Sequence, residues 1–267
     1  MPDAPLHPVL SPADIAKRAA ARRAADFVKD GMRVGLGTGS TAAFMVKRLG
    51  ERVRSEGLRI MGVPTSSRTA DLARAEGIRV ATLNEARWLD LTIDGADEFD
   101  PELNLIKGGG AAHLQEKIVA TASDRVIIIS DAAKRVERLG AFPLPVEVIR
   151  FGWQTTRILL EELTSAMGQP ARQLSLRMAG EKPLLTDEGN YILDLHLDRI
   201  SDARQLALVL NQVPGVVENG LFVDICDLVV VGYSDGRTEL IEAQPGTLAA
   251  LEAAVVGDNN MFADVGD

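Results

Sequence analysis

Short apolar segments alternate with amphipathic segments along the first half of the chain. The alternation predicts a helix from Ser11-Pro12 to about Lys29 and further helices over 41–53, 66–76 and 111–122. It predicts strands over 32–36, 58–63, 79–83, 89–93 and 126–129. Strands that alternate with helices favour a parallel sheet covered on both faces. The uninterrupted apolar run at 126–129 is typical of a central strand in such a sheet.

The pattern changes after Phe142-Pro143-Leu144-Pro145, where two prolines in four residues favour a boundary. The next segments predict a strand, a helix, two strands, a helix and a strand, at 146–151, 153–167, 173–178, 191–197, 202–213 and 215–222. This βαββαβ order is typical of a ferredoxin-like unit. Residues 228–231 return to the buried-strand pattern. We therefore predict an α/β fold in which residues 1–145 and 223–267 form a parallel-sheet domain and residues 146–222 form an inserted ferredoxin-like α+β domain.

Composition and charge narrow the class of protein. The 267 residues are 46% apolar and 25% charged, with a net charge of −9, which argues against a disordered chain and against a general nucleic-acid binder. No apolar run approaches the ~18 residues of a membrane span, and Met1 to Pro5 lack the features of a secretory signal. The single cysteine, Cys226, cannot form a disulfide within the chain. We expect a cytoplasmic enzyme or sensor with no membrane or nucleic-acid partner.

A glycine-rich segment from Gly35 to Thr41 lies between the first predicted strand and the second predicted helix. Glycines permit a tight turn that exposes N–H groups, and a helix N-terminus favours an anion. A dinucleotide site would have Gly at position 40 and an acidic residue after the second strand, and a P-loop would have Lys before Ser40. Neither pattern is present. Phosphate binding is therefore favoured over a plain turn.

Two further segments carry charged side chains. Asp94, Asp97 and Glu98 place three carboxylates in five residues, and such crowding raises a carboxyl pKa. An acid–base role is favoured over a metal site, although a solvated polar loop remains open. Lys107 precedes three glycines at 108–110, which indicate a backbone that passes close to a ligand. From this position Lys107 could neutralise an oxyanion beside that backbone.

The helix after these glycines contains Glu116 and His113. Helical spacing assigns its packing stripe to Ala111, Leu114, Ile118 and Ala122. Glu116 points away from this stripe, as is typical of a solvated side chain, and a lone His113 is more often structural than catalytic.

Several polar segments follow the carboxyl ends of predicted parallel strands. They are the glycine-rich segment, Pro64-Thr65-Ser66, residues 94–97, and Lys134 in Ser130-Asp131-Ala132-Ala133-Lys134. Ligands bind at this edge in open α/β sheets. The sequence therefore predicts one ligand site to which all four segments contribute.

The chain resembles ribose-5-phosphate isomerase, type A, over roughly residues 12 to 242. The motifs that carry the resemblance occur in the family's order: Gly37-Thr38-Gly39-Ser40-Thr41, Asp94-Gly95-Ala96-Asp97-Glu98, Lys107-Gly108-Gly109-Gly110-Ala111-Ala112, Glu116-Lys117, Phe142-Pro143-Leu144-Pro145-Val146-Glu147-Val148 and Thr186-Asp187-Glu188-Gly189-Asn190. The resemblance implies a Rossmann-like catalytic domain, a ferredoxin-like lid that also serves oligomerisation, and a homo-oligomer (dimer or tetramer). It further implies interconversion of ribose 5-phosphate and ribulose 5-phosphate, in the non-oxidative branch of the pentose phosphate pathway, without a metal or an organic cofactor.

The same resemblance implies roles for individual residues. Glu116 would be the base that moves a proton between C1 and C2 through an enediolate, so pointing away from the stripe would mean pointing into the cleft. Asp94 would handle the hydroxyl protons with Asp97 beside it, and Lys107 with the glycine backbone would stabilise the enediolate oxygen. The other substrate-binding residues implied are Lys17, Thr38, Gly39, Ser40, Thr41, Gly95, Ala96, Gly108, Gly109, Gly110 and Lys134.

Two alternatives and one unmatched segment stay open. An amino-sugar phosphate deaminase could use a similar scaffold, and a non-catalytic sugar-phosphate sensor would tolerate loss of Glu116. Beyond Gln244 the chain departs from the family pattern. Leu248, Leu251 and Val255 form a short apolar stripe, followed by Met261-Phe262, which predicts a segment that covers the core or a subunit contact.

Overall fold

The computed structural model describes residues 10–256. Its helices are α1 (Pro12–Ala25), α2 (Ser40–Glu56), α3 (Ser67–Ala75), α4 (Leu83–Ala86), α5 (His113–Thr121), α6 (Trp153–Ala166), α7 (Ala203–Leu210) and α8 (Thr247–Val256). Its strands are β1 (Arg33–Leu36), β2 (Met61–Pro64), β3 (Arg79–Val80), β4 (Leu91–Gly95), β5 (Glu98–Phe99), β6 (Leu105–Ile106), β7 (Val126–Asp131), β8 (Leu144–Val148), β9 (Gln173–Leu176), β10 (Met178–Ala179), β11 (Lys182–Pro183), β12 (Tyr191–His196), β13 (Val216–Asn219), β14 (Leu221–Phe222), β15 (Leu228–Gly232) and β16 (Thr238–Glu242). The predictions for Met1 to Pro5, for the side chains of Leu251 and Val255, and for Met261-Phe262 fall outside the described residues.

A seven-stranded sheet with the order β16-β15-β7-β4-β1-β2-β3 forms the larger half. All pairs are parallel except β15–β16 at one edge. The chain moves outward from β1 to β2 and β3, then returns to β4 and continues outward to β7 and β15. The order therefore reverses between β1 and β4, and the loops that follow these two strands open a crevice at the carboxyl edge. The predicted mixed α/β fold with a parallel sheet is confirmed.

The first helix shows how small side chains bring elements together in the core of this sheet. Ala20, Ala21 and Ala24 on α1 are fully buried in the main apolar cluster. A Cβ added to Gly232 on β15 would lie 1.9 Å from the carbonyl oxygen of Ala16, so this strand can approach α1 only with glycine at that position. The close contact anchors the helix that carries Lys17.

A second, antiparallel sheet with the order β13-β8-β12-β9 carries α6 and α7. Leu160 of α6 and Leu206 of α7 belong to one buried cluster with side chains of β8 and β12. These elements follow the chain order strand, helix, strand, strand, helix, strand, as predicted for a ferredoxin-like unit. The additional hairpin of β10 and β11 interrupts it. The role of residues 146–222 as a separate lid domain stays a prediction.

Several predicted boundaries are wrong, each for a local reason. The strand predicted over 146–151 is β8, which begins at Leu144 and ends at Val148. Pro145 is tolerated inside it because β13 pairs only with Val146 to Val148, so no backbone N–H is needed at the proline. The strand predicted over 79–83 stops at Val80, since Thr82 caps α4 through Glu85. The segment 215–222 divides into β13 and β14, which belong to different sheets.

The C-terminal end of helix α1 also differs from the prediction. Helix α1 ends at Ala25, four residues before the predicted end, because Asp26 takes the C-cap position.

Within residues 10–256, no helix is long and apolar enough to cross a membrane.

Candidate active site

The segment between β1 and α2 passes directly over the side chain of Asp94. A Cβ on Gly37 would lie 2.0 Å from Asp94 Oδ1, so the position requires glycine. Gly39 has a φ of +108° and forms the N-cap of α2 without a side-chain hydrogen bond. The first turn of this helix therefore presents free N–H groups at the carboxyl edge of the sheet, as an anion site requires.

Thr38 is held by a cluster of buried hydroxyl groups. Its Oγ1 lies 2.8 Å from Thr65 Oγ1 and 2.8 Å from Ser66 Oγ, and Thr69 Oγ1 donates to the carbonyl oxygen of Gly37 at 3.1 Å. The Thr38 N–H donates to Asp94 Oδ1 at 3.0 Å. The glycine-rich segment is therefore fixed on one side by hydroxyls after β2 and on the other by the carboxylate at the end of β4.

Lys107 lies between two buried carboxylates. Its Nζ is 3.0 Å from Asp94 Oδ2 and 3.3 Å from Glu116 Oε2, and it also donates to the carbonyl oxygen of Gly95. All three side chains are almost fully buried. Within the described residues, 10–256, no group donates a well-aligned hydrogen bond to Asp94 Oδ2 or Glu116 Oε2, so each has a free lone pair beside the ammonium.

This grouping shifts the pKa of each member. Burial raises the pKa of Glu116 to about 8, the charge of Asp94 adds to the rise, and Lys107 opposes it. Burial likewise raises the pKa of Asp94 against the opposing effect of Lys107. Burial alone would lower the pKa of Lys107, but the two carboxylates hold it above its ordinary value. A carboxyl with a pKa near 8 can take up and release a proton close to neutral pH.

The three glycines after Lys107 allow the backbone to approach Asp97. Gly109 N–H donates to Asp97 Oδ2 at 2.7 Å, and a Cβ on Gly109 would lie 2.6 Å from Asp97 Oδ1. Gly108 has a φ of +105°, and Ala111, a residue with a side chain, is also left-handed at +61°. A non-glycine residue in this conformation is strained, which is typical of a functional loop.

Lys107 itself is held by a third, small sheet of β14, β6 and β5. It follows β6 directly, and its N–H donates to the carbonyl oxygen of Gly220 at 2.9 Å. A Cβ on Gly220 would lie 2.3 Å from the Lys107 carbonyl oxygen, so the two segments are in close contact. The ammonium is thus brought to the crevice from outside the parallel sheet.

Helix α5 turns a different face to the core from the one its sequence pattern predicts. The buried residues are His113, Glu116, Val119 and Ala120, whereas Ile118 of the predicted stripe is 49% exposed. The prediction of a solvated Glu116 is therefore wrong. The helix packs against both β4 and β13, so its polar face is covered as well.

Glu98 does not belong to the carboxylate cluster, although the sequence places it there. Its two carboxylate oxygens accept hydrogen bonds from the N–H groups of Gly140 and Phe142, at 2.8 and 2.5 Å. Alternation along β5 directs it away from Asp97 and towards the loop that leads to β8. Only Asp94 and Asp97 of the predicted three carboxylates lie at the crevice.

Two lysines approach the N-terminus of α2 from different elements. Lys17 Nζ on α1 donates to Ser40 Oγ at 3.0 Å. Lys134, in the 3₁₀ turn after β7, lies with its Nζ 5.8 Å from the centroid of the Phe142 ring. Both lysines line the pocket that holds the helix N-terminus. The full lining is Lys17, Thr38, Gly39, Ser40, Thr41, Gly95, Ala96, Asp97, Lys107, Gly108, Gly110, Glu116, Ser130, Asp131 and Lys134.

The structure therefore brings nearly all the predicted site residues to one pocket. Asp94 and Gly109 lie just behind its wall, where they contact Lys107 and Asp97. The prediction that Pro64-Thr65-Ser66 also contributes to the ligand site is wrong, because this segment does not line the pocket and its hydroxyls support Thr38 instead.

Comparison with known proteins identifies the family. The model of the family described as ribose 5-phosphate isomerase A (phosphoriboisomerase A) matches residues 61–236. A curated ribose-5-phosphate isomerase A from Cereibacter sphaeroides is 67% identical over 260 residues, which are 97% of this chain and 98% of the relative. This chain belongs to the ribose 5-phosphate isomerase A family. Its members are enzymes of the isomerase class, and the resemblance drawn from the motifs is confirmed.

Further members of the ribose 5-phosphate isomerase A family match along the chain and in fold. The protein of that name from Ruegeria pomeroyi is 66% identical over 258 residues, covering 97% of this chain and 98% of the relative. The structure of ribose 5-phosphate isomerase A from Methanocaldococcus jannaschii matches with a TM-score of 0.78 at 41% identity, over 86% of this chain and 98% of that one. A D-ribose-5-phosphate isomerase in complex with phospho-erythronic acid matches with a TM-score of 0.80 at 40% identity, over 86% and 99% of the two chains.

Some residues of this isomerase-family site were not predicted. Ser130 and Asp131 line the pocket at the end of β7, where the strand-edge argument had singled out only Lys134. Thr69 joins the hydroxyl cluster from α3. Arg177 reaches the glycine segment from the second sheet, and the strand pattern around it carries no signal of that contact.

Proposed function

We propose that this chain interconverts ribose 5-phosphate and ribulose 5-phosphate through an enediolate. The observation that carries the proposal is the placement of Glu116 and Asp94 on either side of one buried ammonium, that of Lys107, next to a helix N-terminus with two lysines. The family names the substrate class, and the pocket has one part suited to proton transfer and another suited to a phosphate. Each part consists of this chain's own side chains.

Glu116 is the proposed base. A proton on the carbon next to a carbonyl is a weak acid, so its removal needs a positioned carboxylate together with stabilisation of the charge that develops. Glu116 Oε2 lies 3.3 Å from Lys107 Nζ and accepts no well-aligned hydrogen bond from the part of the chain that the structure describes. The base takes the proton from C2 of the aldose and returns it to C1, and the reverse reaction uses the same group.

Lys107 and Asp94 are proposed to serve the oxygens of the enediolate. The Lys107 ammonium is buried, so its field is little screened by water and acts on an oxyanion that forms beside it. Asp94 keeps Oδ1 bonded to the N–H groups of Thr38 and Gly95, which leaves Oδ2 to exchange a hydroxyl proton. Asp97 also lines the pocket and is proposed to assist with the hydroxyl protons, including those exchanged on ring opening.

The phosphate is proposed to bind at the N-terminus of α2. The Lys17 ammonium contacts the Ser40 hydroxyl at the helix N-terminus, where the N–H groups of Gly39, Ser40 and Thr41 have no partner within the helix, and Lys134 lines the same pocket. Because the chain carries a net charge of −9, the two lysines provide the local positive charge that a phosphate needs. Binding a remote phosphate orients the reacting carbons against Glu116.

The proposal is tested by following ribose 5-phosphate in D₂O with EDTA present and arabinose 5-phosphate as the control substrate. We expect ketose formation from the ribose compound alone, with solvent deuterium entering at the carbon next to the carbonyl. Glu116→Gln should lower kcat by about three powers of ten or more and leave KM within a factor of about two, because it removes only the base. Glu162→Gln, an exposed glutamate on α6, is the matched control and should behave as wild type.

Two results would refute the assignment. Release of ammonia from glucosamine 6-phosphate without pentose isomerisation would favour the deaminase alternative. Retention of more than about a tenth of the rate by Glu116→Gln would move the base to Asp94 or Asp97. The oligomeric state, the lid role of residues 146–222 and a cytoplasmic location stay predictions.

A further inference from the structure

Arg177 connects the second sheet to the glycine segment of the pocket. It lies between β9 and β10, where its N–H donates to the carbonyl oxygen of Ile192 and its carbonyl accepts from the N–H of Leu184, both at 2.9 Å. The guanidinium forms a two-point ion pair with Asp194 on β12, in which both side chains are only 15% exposed. The ion pair uses Nε and Nη2 and leaves Nη1 to contact the glycine segment.

Within the glycine segment, Arg177 contacts the peptide between Gly108 and Gly109. Arg177 Nη1 donates to the carbonyl oxygen of Gly108 at 2.6 Å. The carbonyl of Gly108 and the N–H of Gly109 belong to one planar unit, so fixing the oxygen also fixes the direction of the N–H. The N–H points the other way, to Asp97 Oδ2 at 2.7 Å. A guanidinium, one peptide and a carboxylate therefore form a continuous chain that ends in the pocket.

The peptide needs such a restraint because its neighbours allow it to rotate. Gly108 adopts a φ of +105°, and glycine populates both signs of φ with little preference. The Gly108 oxygen accepts one further hydrogen bond, from the N–H of Ala111 at 3.0 Å, and Arg177 is the shorter and charged one of these two donors. Loss of the guanidinium leaves only the neutral donor, which comes from the same loop, to keep the plane from turning and withdrawing its N–H from Asp97. A charged donor at the oxygen also polarises the peptide and strengthens the N–H as a donor.

We propose that Arg177 is a positioning residue for the isomerase site. It holds the Gly108–Gly109 peptide with its oxygen towards the second sheet and its N–H towards Asp97, and so fixes the Asp97 carboxylate at the pocket wall. This inference rests on the proposed function, since it assigns Asp97 and the glycine backbone to the isomerisation. The second sheet thereby contributes to the chemistry without contacting the substrate.

Arg177→Met removes the donors and keeps an apolar stem, whereas Arg177→Lys keeps a charge and one donor. We expect Arg177→Met to lower kcat by about 30- to 100-fold, as misplacement of reacting groups by about 1 Å does, with KM within about twofold because the phosphate contacts are untouched. Its affinity for phospho-erythronic acid should fall with kcat/KM, since the carboxylate of this sugar acid resembles the enediolate oxygens. Arg177→Lys should recover part of the loss.

The control is Arg172→Met, just before β9, because Arg172 also pairs with an aspartate, Asp198, but is exposed and does not reach the glycine segment. Hydrogen exchange at the Gly109 N–H gives a second readout that needs no activity, and it should accelerate in Arg177→Met alone. A kcat within twofold of wild type, or unchanged exchange at Gly109, would overturn the inference. If Arg177→Met does not fold, Arg177→Lys is judged by the same two criteria. An inactive wild type would instead refute the proposed function, and the exchange result would still decide the positioning.

Discussion

Replacing Lys107 with Met tests the electrostatic account of the pocket in a way that does not depend on catalysis. Methionine keeps most of the apolar stem next to the Phe222 ring and removes the ammonium that contacts Asp94 and Glu116. Removing one partner of a buried ion pair costs about 3–5 kcal/mol when the other charge stays ionised. Two buried carboxylates without a counter-charge will avoid this cost by holding an additional proton in the folded state.

The additional proton determines how far Lys107→Met lowers the free energy of unfolding and how this loss changes with pH. In the unfolded chain the carboxyls ionise with a pKa near ~4, whereas in the folded variant the pKa values of Asp94 and Glu116 rise further above their already raised values. A carboxyl with a raised folded pKa contributes stability at low pH and loses it as the pH rises through the folded pKa. Each additional proton held by the folded state lowers the free energy of unfolding by about 1.4 kcal/mol per pH unit.

The measurement is urea unfolding of wild type and Lys107→Met at several values between about pH 5.5 and 7.5. The difference in unfolding free energy should widen by about 1.4 kcal/mol per pH unit, or about 2.8 kcal/mol over the range. Lys47→Met, the same substitution on the exposed face of α2, should follow the wild-type profile. A Lys107→Met profile parallel to wild type would show that the carboxylates do not depend on the ammonium, and the account of the pocket would be wrong.

Three shorter predictions concern packing and charge outside the proton-transfer pair. Gly37→Ala should lower the free energy of unfolding by about 3 kcal/mol in urea titration, because its Cβ would overlap Asp94. The control Gly110→Ala should be as stable as wild type, and equal stabilities of the two variants would contradict the close approach of Gly37 to Asp94. Glu147 is buried, and burial raises the pKa of its carboxyl, so the stability that this carboxyl contributes is lost as the pH rises. The free energy of unfolding of Glu147→Gln should therefore increase relative to that of wild type between about pH 5 and 8, and a constant difference would refute this. Truncation before Pro245 removes α8, whose Leu248 packs against the core, and should lower the free energy of unfolding by about 1 kcal/mol. An unchanged melting temperature together with an unchanged size-exclusion elution volume would contradict any role for this segment.

The sequence was sufficient for the features that follow from the parallel sheet. The polar segments after β1, β4 and β7 meet at one edge because every strand in a parallel sheet ends on the same side. Apolar runs marked these strands, and glycines marked the backbone that passes over Asp94. The glycine-rich, acidic and Lys134 parts of the pocket lining could therefore be predicted without knowing any side-chain contact, whereas Lys17 and Glu116 were assigned to the site only through the family resemblance.

The sequence was insufficient where burial depends on contacts that are distant along the chain. Glu116 looked solvated because helical periodicity reports only the apolar face of α5. The partner that makes its burial possible, Lys107, directly follows β6, a strand of another sheet. Glu98 looked like a third acid because its neighbours in sequence are acids, whereas its hydrogen-bond partners lie more than forty residues away. Arg177 is recognisable only once the second sheet is placed against the glycine segment.

In the proposed function, substrate orientation and proton transfer depend on different parts of the fold. The α2 N-terminus and Lys17 belong to the parallel sheet and its flanking helices. Lys107 comes from the small sheet, and Arg177 holds the glycine segment from the antiparallel sheet. A buried carboxylate pair is costly by itself, so it persists only where several rigid elements over-determine its position. A change in the packing of the second sheet against the glycine segment should therefore alter kcat while leaving the affinity for the phosphate end of the substrate intact.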